Sequence, residues 1–431
     1  MSRRTGAADR VVGLIEMVTG GPTPVRIRGW DGSEAGPDDA PTLTVHSRRA
    51  VRRMLWQPGE LGLVRAYVAG ELDVEGDLLE AIAELADAGE RIGRAPEVSA
   101  STRAQMLRSA MLLGAVGPAP KPPPQEITMS GTKHSKSRDR AAITHHYDVG
   151  NDFYRLVLGP SMVYSCAYWR HLDDPAYTVT EAQRDKLDLV CRKLALRPGM
   201  RVLDVGSGWG SFALHAAQEY GAEVVGITVS QEQVELGRKR VAEADLQEQV
   251  DLRLQDWRDL DDPPFDAISS IGMAEHVGEE RFGEYAAALY RMLRPGGRLL
   301  NHQINRKPGP APTKPTFIDS YVFPDGGLLP LSLVIERLEG AGFEVRDVQG
   351  LREHYAHTLR AWVRSLEQHW DECVDLTSPG RARVWHLYMA LSAIGFDREM
   401  LRVNQTLAVR PRKGGHSDVP LVREDWLGAT T

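Results

Sequence analysis

The chain has 431 residues, 42% of them hydrophobic and 26% charged, with a formal net charge of -7. That length accommodates two domains, each with a core of its own, and the negative balance argues against a general nucleic-acid binder. The three cysteines, Cys166, Cys191 and Cys373, form no CxxC pair, which argues against a zinc ribbon or a disulfide framework and for a reducing cytoplasm.

The first twenty residues carry basic side chains, but Glu16 interrupts their apolar run and they do not read as a secretory signal. No stretch approaches the ~18 apolar residues of a membrane span, so any membrane contact would be peripheral. PVRIRGW and TLTVHS alternate as short strands do around the turn-rich DGSEAGPDDAP, which predicts a hairpin. From Ser47 to Ala88 the pattern is helical, broken near Gln57-Pro58-Gly59 and again near Gly70. Arg48, Arg49, Arg52 and Arg53 lie beside Met54, Leu55 and Trp56. This cluster reads either as a basic-aromatic face for anionic lipid headgroups or as a solvated helix face over a core contact, and composition alone favours the second. Residues 1–116 are expected to form a small α+β domain that docks on lipid and delivers the acyl chain to the domain that follows. Residues 117–140, GPAPKPPPQEITMSGTKHSKSRDR, turn from proline-dense to basic and predict a linker.

Residues 141–431 alternate helical and strand patterns. RVLDVGSGWGSFALHAA, Arg201 to Ala217, runs strand, glycine turn, helix. Glycines at such a turn let the backbone approach a ligand, and the following helix presents unpaired N–H groups. EVVGITV (strand), a helix capped by Ser230, VDLRLQDW (strand), FDAISSIGM (strand), a helix within Glu280 to Leu293 and GGRLLNHQI (strand) follow. A Pro/Gly-rich insertion spans Ile304 to Leu338, FEVRDVQGL and QTLAVRPR are late strands, and a long helical stretch runs from His357 to Met400. This is the series of an α/β doubly wound, Rossmann-like parallel sheet, whose ligands bind outside the carboxyl ends of the strands.

A dinucleotide site wants GxGxxG and an acid at the tip of the second strand. Here the turn is Gly206, Gly208, Gly210, and the second strand ends in Gly226-Ile227-Thr228 without a carboxylate. RVLDVGSGWG instead resembles the first motif of class I S-adenosylmethionine-dependent methyltransferases, and LRPGGRLL matches the later turn and strand of that fold. The third strand ends in Asp256-Trp257, where the acid would accept the adenine amino group and the indole would pack on the ring; alone, a Trp there is more often core.

HHYDVGNDFYRLVLGPSMVYSCAYW, SIGMAEHVG, the His302 strand, FIDSYVFPDGGLLP and HYAHTLRAW, in that order, resemble the cyclopropane-fatty-acid synthase family, including the mycolic-acid cyclopropane synthases. The resemblance covers residues 141 to 410 and extends more weakly to GELGLVRAYVAGELDVEGDLL, which is similar to phospholipid-acting members. It implies transfer of the cofactor's methyl group to a cis double bond of an acyl chain, then proton loss and ring closure, with a bound bicarbonate as base. Its implied holders are Cys166, Glu275, His302 and Tyr355. Those types suit a small oxyanion, since His302 and Tyr355 donate and Glu275 accepts. Each has a plainer reading: a buried structural cysteine, a helix-capping Glu275, a core histidine and a core tyrosine. The resemblance further implies S-adenosylmethionine contacts at Tyr147, Tyr164, Ser165, Asp204, Gly206, Gly208, Thr228, Gln233, Asp256 and Trp257, with His276 nearby and no metal.

Two departures bear on product outcome. Position 274 is Ala where many relatives carry Phe, and Gln303-Ile304-Asn305 lacks the glycine often found there. The expected partners are an unsaturated phospholipid acyl chain at a peripheral membrane surface, a second copy in a homodimer and no nucleic acid. Loss of a different proton would leave a methylene branch for a separate reductase. A small-molecule methyltransferase and a lipid-binding protein on a retired fold are the competing readings.

Overall fold

The computed structural model describes residues 6–423 except 58, 93–99, 128, 130–134, 137, 140–141, 143–145, 147–148 and 310–315. Contacts divide the chain into two units. One comprises Met1–Thr128, Thr313–Val322 and Trp370–Ile394; the other comprises Met129–Pro312, Phe323–His369 and Gly395–Thr431. Two segments of the expected 141–431 domain, 313–322 and 370–394, thus fall in the first unit.

The first unit holds a four-stranded sheet in the order β2-β1-β3-β4, with β1 at Arg26–Arg28, β2 at Glu34–Ala35, β3 at Thr42–Val45 and β4 at Leu72–Glu75. The expected hairpin is corrected here: β1 and β3 run parallel, Ile27 opposite Leu43, while β1 turns back on the short β2 and β3 pairs antiparallel with β4. Alternation sets which face a strand buries and leaves its direction open. Ser47 caps the helix Arg48–Trp56 by accepting from Arg49 N–H. Arg53 is not part of a basic surface. It is 4% exposed and donates through Nε and Nη2 to Glu71 and through Nη1 to the Lys121 carbonyl. Trp56 is exposed, with its indole N–H on the Gly117 carbonyl. The start of the expected linker is therefore fastened down: Glu126 accepts both a forked Arg65 and the Tyr321 hydroxyl, and Ile127 N–H donates to Ser320.

The second unit is built on an eight-stranded sheet, ordered β11-β12-β9-β8-β5-β6-β7 with β10 beside β9. The strands are β5 Arg201–Val205, β6 Glu223–Thr228, β7 Val250–Leu254, β8 Phe265–Ile271, β9 Leu293–Arg306, β10 Leu329–Pro330, β11 Glu344–Gly350 and β12 Leu401–Val409. β7, β6, β5, β8 and β9 are parallel, and β12 and β11 add antiparallel pairings at one edge. Both faces are covered, as a parallel sheet requires. Val202, Ala267, Leu300 and Leu407 pack with residues of the helices Val179–Lys193 and Ser211–Tyr220. Leu203, Val205, Ile268, Leu299 and Ala408 pack with residues of Phe282–Met292 and Leu331–Gly340. Strand order reverses between β5 and β8, so their carboxyl ends open a crevice.

The helical stretch from His357 to Met400 is three helices, Arg352–Gln368, Trp370–Leu376 and Pro379–Asp397. The last restarts at a proline, which tolerates a first turn because no N–H is needed there.

Candidate active site

The crevice at β5 is shaped by three left-handed glycines, Gly206, Gly208 and Gly210, at φ 78°, 54° and 79°. Gly206 and Ser207 N–H both donate to the Ile227 carbonyl at 2.9 Å, fixing the turn against β6. A cavity of about 130 Å³ opens in front of it. Its walls include Tyr164, Ser165, Asp204, Gly206, Gly208, Thr228, Gln233, Asp256 and Trp257, the expected cofactor set, along with Lys186, Met273 and His276. Tyr147 lies outside the described residues.

Each wall is held from behind. Gln233 accepts from the Thr228 hydroxyl at 2.7 Å, and Ser230 caps the helix Gln231–Glu243, as expected. Gln183 donates to the carbonyls of Ser165 and Val163, pinning the Tyr164-Ser165-Cys166 segment. The Tyr164 ring meets Trp362 and Tyr154 at 5.5 and 5.6 Å. Asp256 is already engaged: Arg258 Nε and Nη2 hold its two oxygens at 2.7 and 2.6 Å, and it caps the short turn Trp257–Asp259. Against desolvation, those bonds keep its carboxyl below the usual range. Trp257 packs edge-on to Tyr285, so it belongs to the core and the cavity wall together.

The four residues of the expected base site do not line this cavity. They are drawn from separate segments to the carboxyl end of β9 and the strands and helix beside it. His302 is 2% exposed on β9, with Gln405 of β12 facing it and the Gln405 amide nitrogen 3.2 Å from its Nδ1. Desolvation, with Lys186 and Lys193 adding to it, pushes its pKa well down, so the ring is neutral. Its Nε2 is buried without a hydrogen-bond partner. Glu275 is half-buried in the turn Ala274–His276 and does not cap a helix: Oε1 accepts Ile304 N–H at 2.8 Å, and Oε2 is shielded and unpartnered. Desolvation raises its pKa to about 7. Cys166 is fully buried with its thiol on the Ala167 and Leu351 carbonyls, and burial pushes its pKa up, so it stays a thiol. Tyr355 N–H donates to the same Leu351 carbonyl, and its ring packs on Phe396 at 4.7 Å. His276 borders the cavity, and desolvation lowers it to about 4.

Lys186 was not among the sequence candidates. It sits within VTEAQRDKLDLVCRK, where helical periodicity puts it on the stripe with Ala182, Leu187 and Val190. That placement is the only signal the sequence offered.

Comparison with known proteins now adds to the geometry. Residues 134–406 match the family model described as mycolic acid cyclopropane synthetase. A probable fatty acid methyltransferase of Mycobacterium tuberculosis is 39% identical over 95% of this chain and 96% of its own length. The tuberculostearic acid methyltransferase UfaA1 of the same organism is 34% identical over 90% of this chain and 88% of its own. Among solved structures, the mycolic acid cyclopropane synthase CmaA1 complexed with SAH and CTAB superposes with a TM-score of 0.58, at 34% identity, covering 62% of this chain and 97% of that one. The chain belongs to the mycolic acid cyclopropane synthetase family. It is an S-adenosylmethionine-dependent methyltransferase on a Rossmann-like sheet.

Proposed function

We propose that this enzyme transfers the methyl group of S-adenosylmethionine to a cis double bond of a phospholipid acyl chain and closes the product to a cyclopropane. The observation that carries this reading is a group of unsatisfied buried atoms on and beside β9, His302 Nε2 and Glu275 Oε2 among them. With Gln405 donating to His302 Nδ1, the His302 proton sits on Nε2, a buried donor without an acceptor, and Glu275 Oε2 is a buried acceptor without a donor. Buried polar atoms are nearly always paired, so a donor and an acceptor left open in this group would suit a small molecule carrying both an oxyanion and a hydroxyl. Bicarbonate fits: His302 and Glu275 would hold it, with Tyr355 and the Cys166 segment around it, and bound there it would supply the base that takes a proton from the added methyl. An N- or O-methyltransferase has no use for such a set.

The residues divide the remaining work. The glycine turn, Thr228, Gln233 and Asp256 seat the cofactor, which when bound supplies an electrophilic methyl group on a sulfonium. Neutral His302 with its proton on Nε2 and a protonated Cys166 offer no free nucleophile to trap a carbocation on the chain, and bicarbonate bound through its hydroxyl would occupy Glu275 Oε2. Ionised Glu275 stabilises that cation by charge. Family relatives lend support to an acyl substrate: each of the two long matches is named a fatty acid or tuberculostearic acid methyltransferase. The UfaA1 match favours a second product, a methylene branch left by proton loss from the chain, which a separate reductase would convert to a methyl branch. No described helix is long and apolar enough to cross a membrane, and lipid access is proposed to be peripheral, by a homodimer.

The test is incubation of the purified protein with S-adenosylmethionine and vesicles of a monounsaturated phospholipid. An acyl product heavier by one CH2 unit is expected, and olefinic proton NMR then separates ring from branch. Methylation of soluble amines with no change in the lipid would sink the proposal.

A further inference from the structure

The helix Val179–Lys193 turns Ala182, Gln183, Lys186, Leu187, Val190 and Cys191 inward. Lys186 puts a charge on that stripe and is 1% exposed. Its ammonium donates to Ser165 Oγ at 2.9 Å and borders the cofactor cavity. Among the described residues no carboxylate lies within 4.0 Å of it. Asp204, 2% exposed at the end of β5, borders the same cavity. The two charges act on each other from beyond ion-pair distance. Desolvation draws Lys186 down to about 8, which leaves it largely protonated at neutral pH. An ammonium kept from water with one neutral partner is costly to the fold unless a counter-charge completes it. Arg53 in the other unit shows what a completed site looks like, with a forked carboxylate and a carbonyl.

The cofactor's amino-acid end carries one carboxylate and one ammonium. The cavity wall offers a buried cation, Lys186, and on a neighbouring element a buried acid, Asp204, whose pKa desolvation raises to about 7 and which a bound ammonium would hold ionised. We propose that Lys186 is a cofactor-binding residue that receives the α-carboxylate of S-adenosylmethionine, with Ser165 as its hinge and Asp204 facing the α-ammonium. The inference rests on the cavity being the cofactor site. It gives Ser165 a second task, since its hydroxyl aims the lysine, while Gln183 fixes the backbone that carries that hydroxyl. The competing role for Lys186 is purely structural, a charge that holds the Ser165 segment and reads no ligand.

Calorimetry on the full chain separates the two. S-adenosylhomocysteine carries the amino-acid end, and methylthioadenosine carries the adenosine and thioether without it. In K186M, S-adenosylhomocysteine should bind about 10- to 100-fold more weakly, the range of a lost charge-assisted hydrogen bond, while methylthioadenosine binds as in wild type. K186Q keeps a hydrogen bond to Ser165 without the charge, and the same selective loss is required of it. Because a buried unpaired ammonium is being replaced by an apolar chain of similar length, K186M should melt no lower than wild type. Unchanged S-adenosylhomocysteine affinity in either variant, or an equal fall for both ligands, overturns the proposal in favour of the structural role. Wild-type protein that binds neither ligand overturns the cofactor assignment, and Lys186 with it.

Discussion

The ion pairs around Arg53 and Arg65 in the first unit and the polar groups around the crevice and β9 in the second are satisfied to different degrees. In the first, Arg53 is enclosed with its guanidinium divided between Glu71 and the Lys121 carbonyl, and Arg65 is forked onto Glu126, which also takes Tyr321. In the second, Lys186 has one neutral partner, while Glu275 Oε2 and His302 Nε2 have none. Completed pairs stabilise; incomplete ones cost stability and persist where something else completes them. The difference sets Lys186, Glu275 and His302 apart from Arg53 and Arg65, and it can be broken by experiment.

The largest effect is expected where an incomplete group is altered at the chemistry. Glu275→Gln keeps the acceptor for Ile304 N–H and removes the charge, so kcat on lipid should fall by about 10²–10⁴ while S-adenosylhomocysteine affinity stays within about twofold. In wild type kcat should rise with pH through about 7 as Glu275 ionises, and that limb should vanish in the variant. Stopped assays across pH decide it; a variant retaining the limb removes Glu275 from the mechanism.

A completed pair should behave in the reverse manner. Glu71→Ala leaves Arg53, 4% exposed, with a single carbonyl, and should cost about 3–5 kcal/mol in urea unfolding of the full chain. A loss below 1 kcal/mol would mean that water reaches Arg53 and that the contrast between units is false.

The pH dependence of stability sharpens the same point. Glu275 has a folded pKa raised from 4.5 to about 7, so its contribution is fully present below about 4.5 and is lost as pH rises through 7. Glu275→Gln escapes that loss. The variant should match wild type at pH 4.5 and exceed it by about 1–3 kcal/mol at pH 8, a range below the full linkage of the shift because the residue is half-buried. Thermal melts at the two pH values read this directly, and equal melting at both would place Glu275 in an ordinary solvated setting.

Legibility in the sequence followed locality. The cofactor turn could be read because strand, glycines and helix lie within seventeen consecutive residues and each has a local cause. Ser230 was legible for the same reason, as a cap beside its helix. The β1–β3 pairing was misread because alternation carries no direction, and β4 was missed because Leu72–Glu75 is short and lies between helical patterns. Cys166, Glu275, His302 and Tyr355 were reached only through resemblance, since nothing within each segment tells that the sheet will gather them. Lys186 carries only its place on the apolar stripe as a signal, and a lysine in VTEAQRDKLDLV otherwise reads as a solvated position until the sheet it packs on is known. Arg53 was misassigned for the converse reason: its neighbours in sequence are arginines and apolar residues, while the carboxylate that neutralises it lies eighteen residues away.

The smallest effect tests the turn, where the shape of the wall and not a charge is at stake. Gly206 sits at φ 78°, where an L side chain costs about 1–2 kcal/mol, and a Cβ there would stand 3.1 Å from Met273 Cβ. Gly206→Ala must therefore shift either the turn or Met273, which lines the same cavity. S-adenosylhomocysteine should bind about tenfold more weakly, and methylthioadenosine should weaken with it, because the defect lies in the shape of the wall and not in a charge. That joint loss is the pattern Lys186 variants should not show. If Gly206→Ala instead spared methylthioadenosine and lost only the amino-acid-bearing ligand, the turn would be reading the same end of the cofactor as Lys186, and shape and charge would no longer be separable at this site.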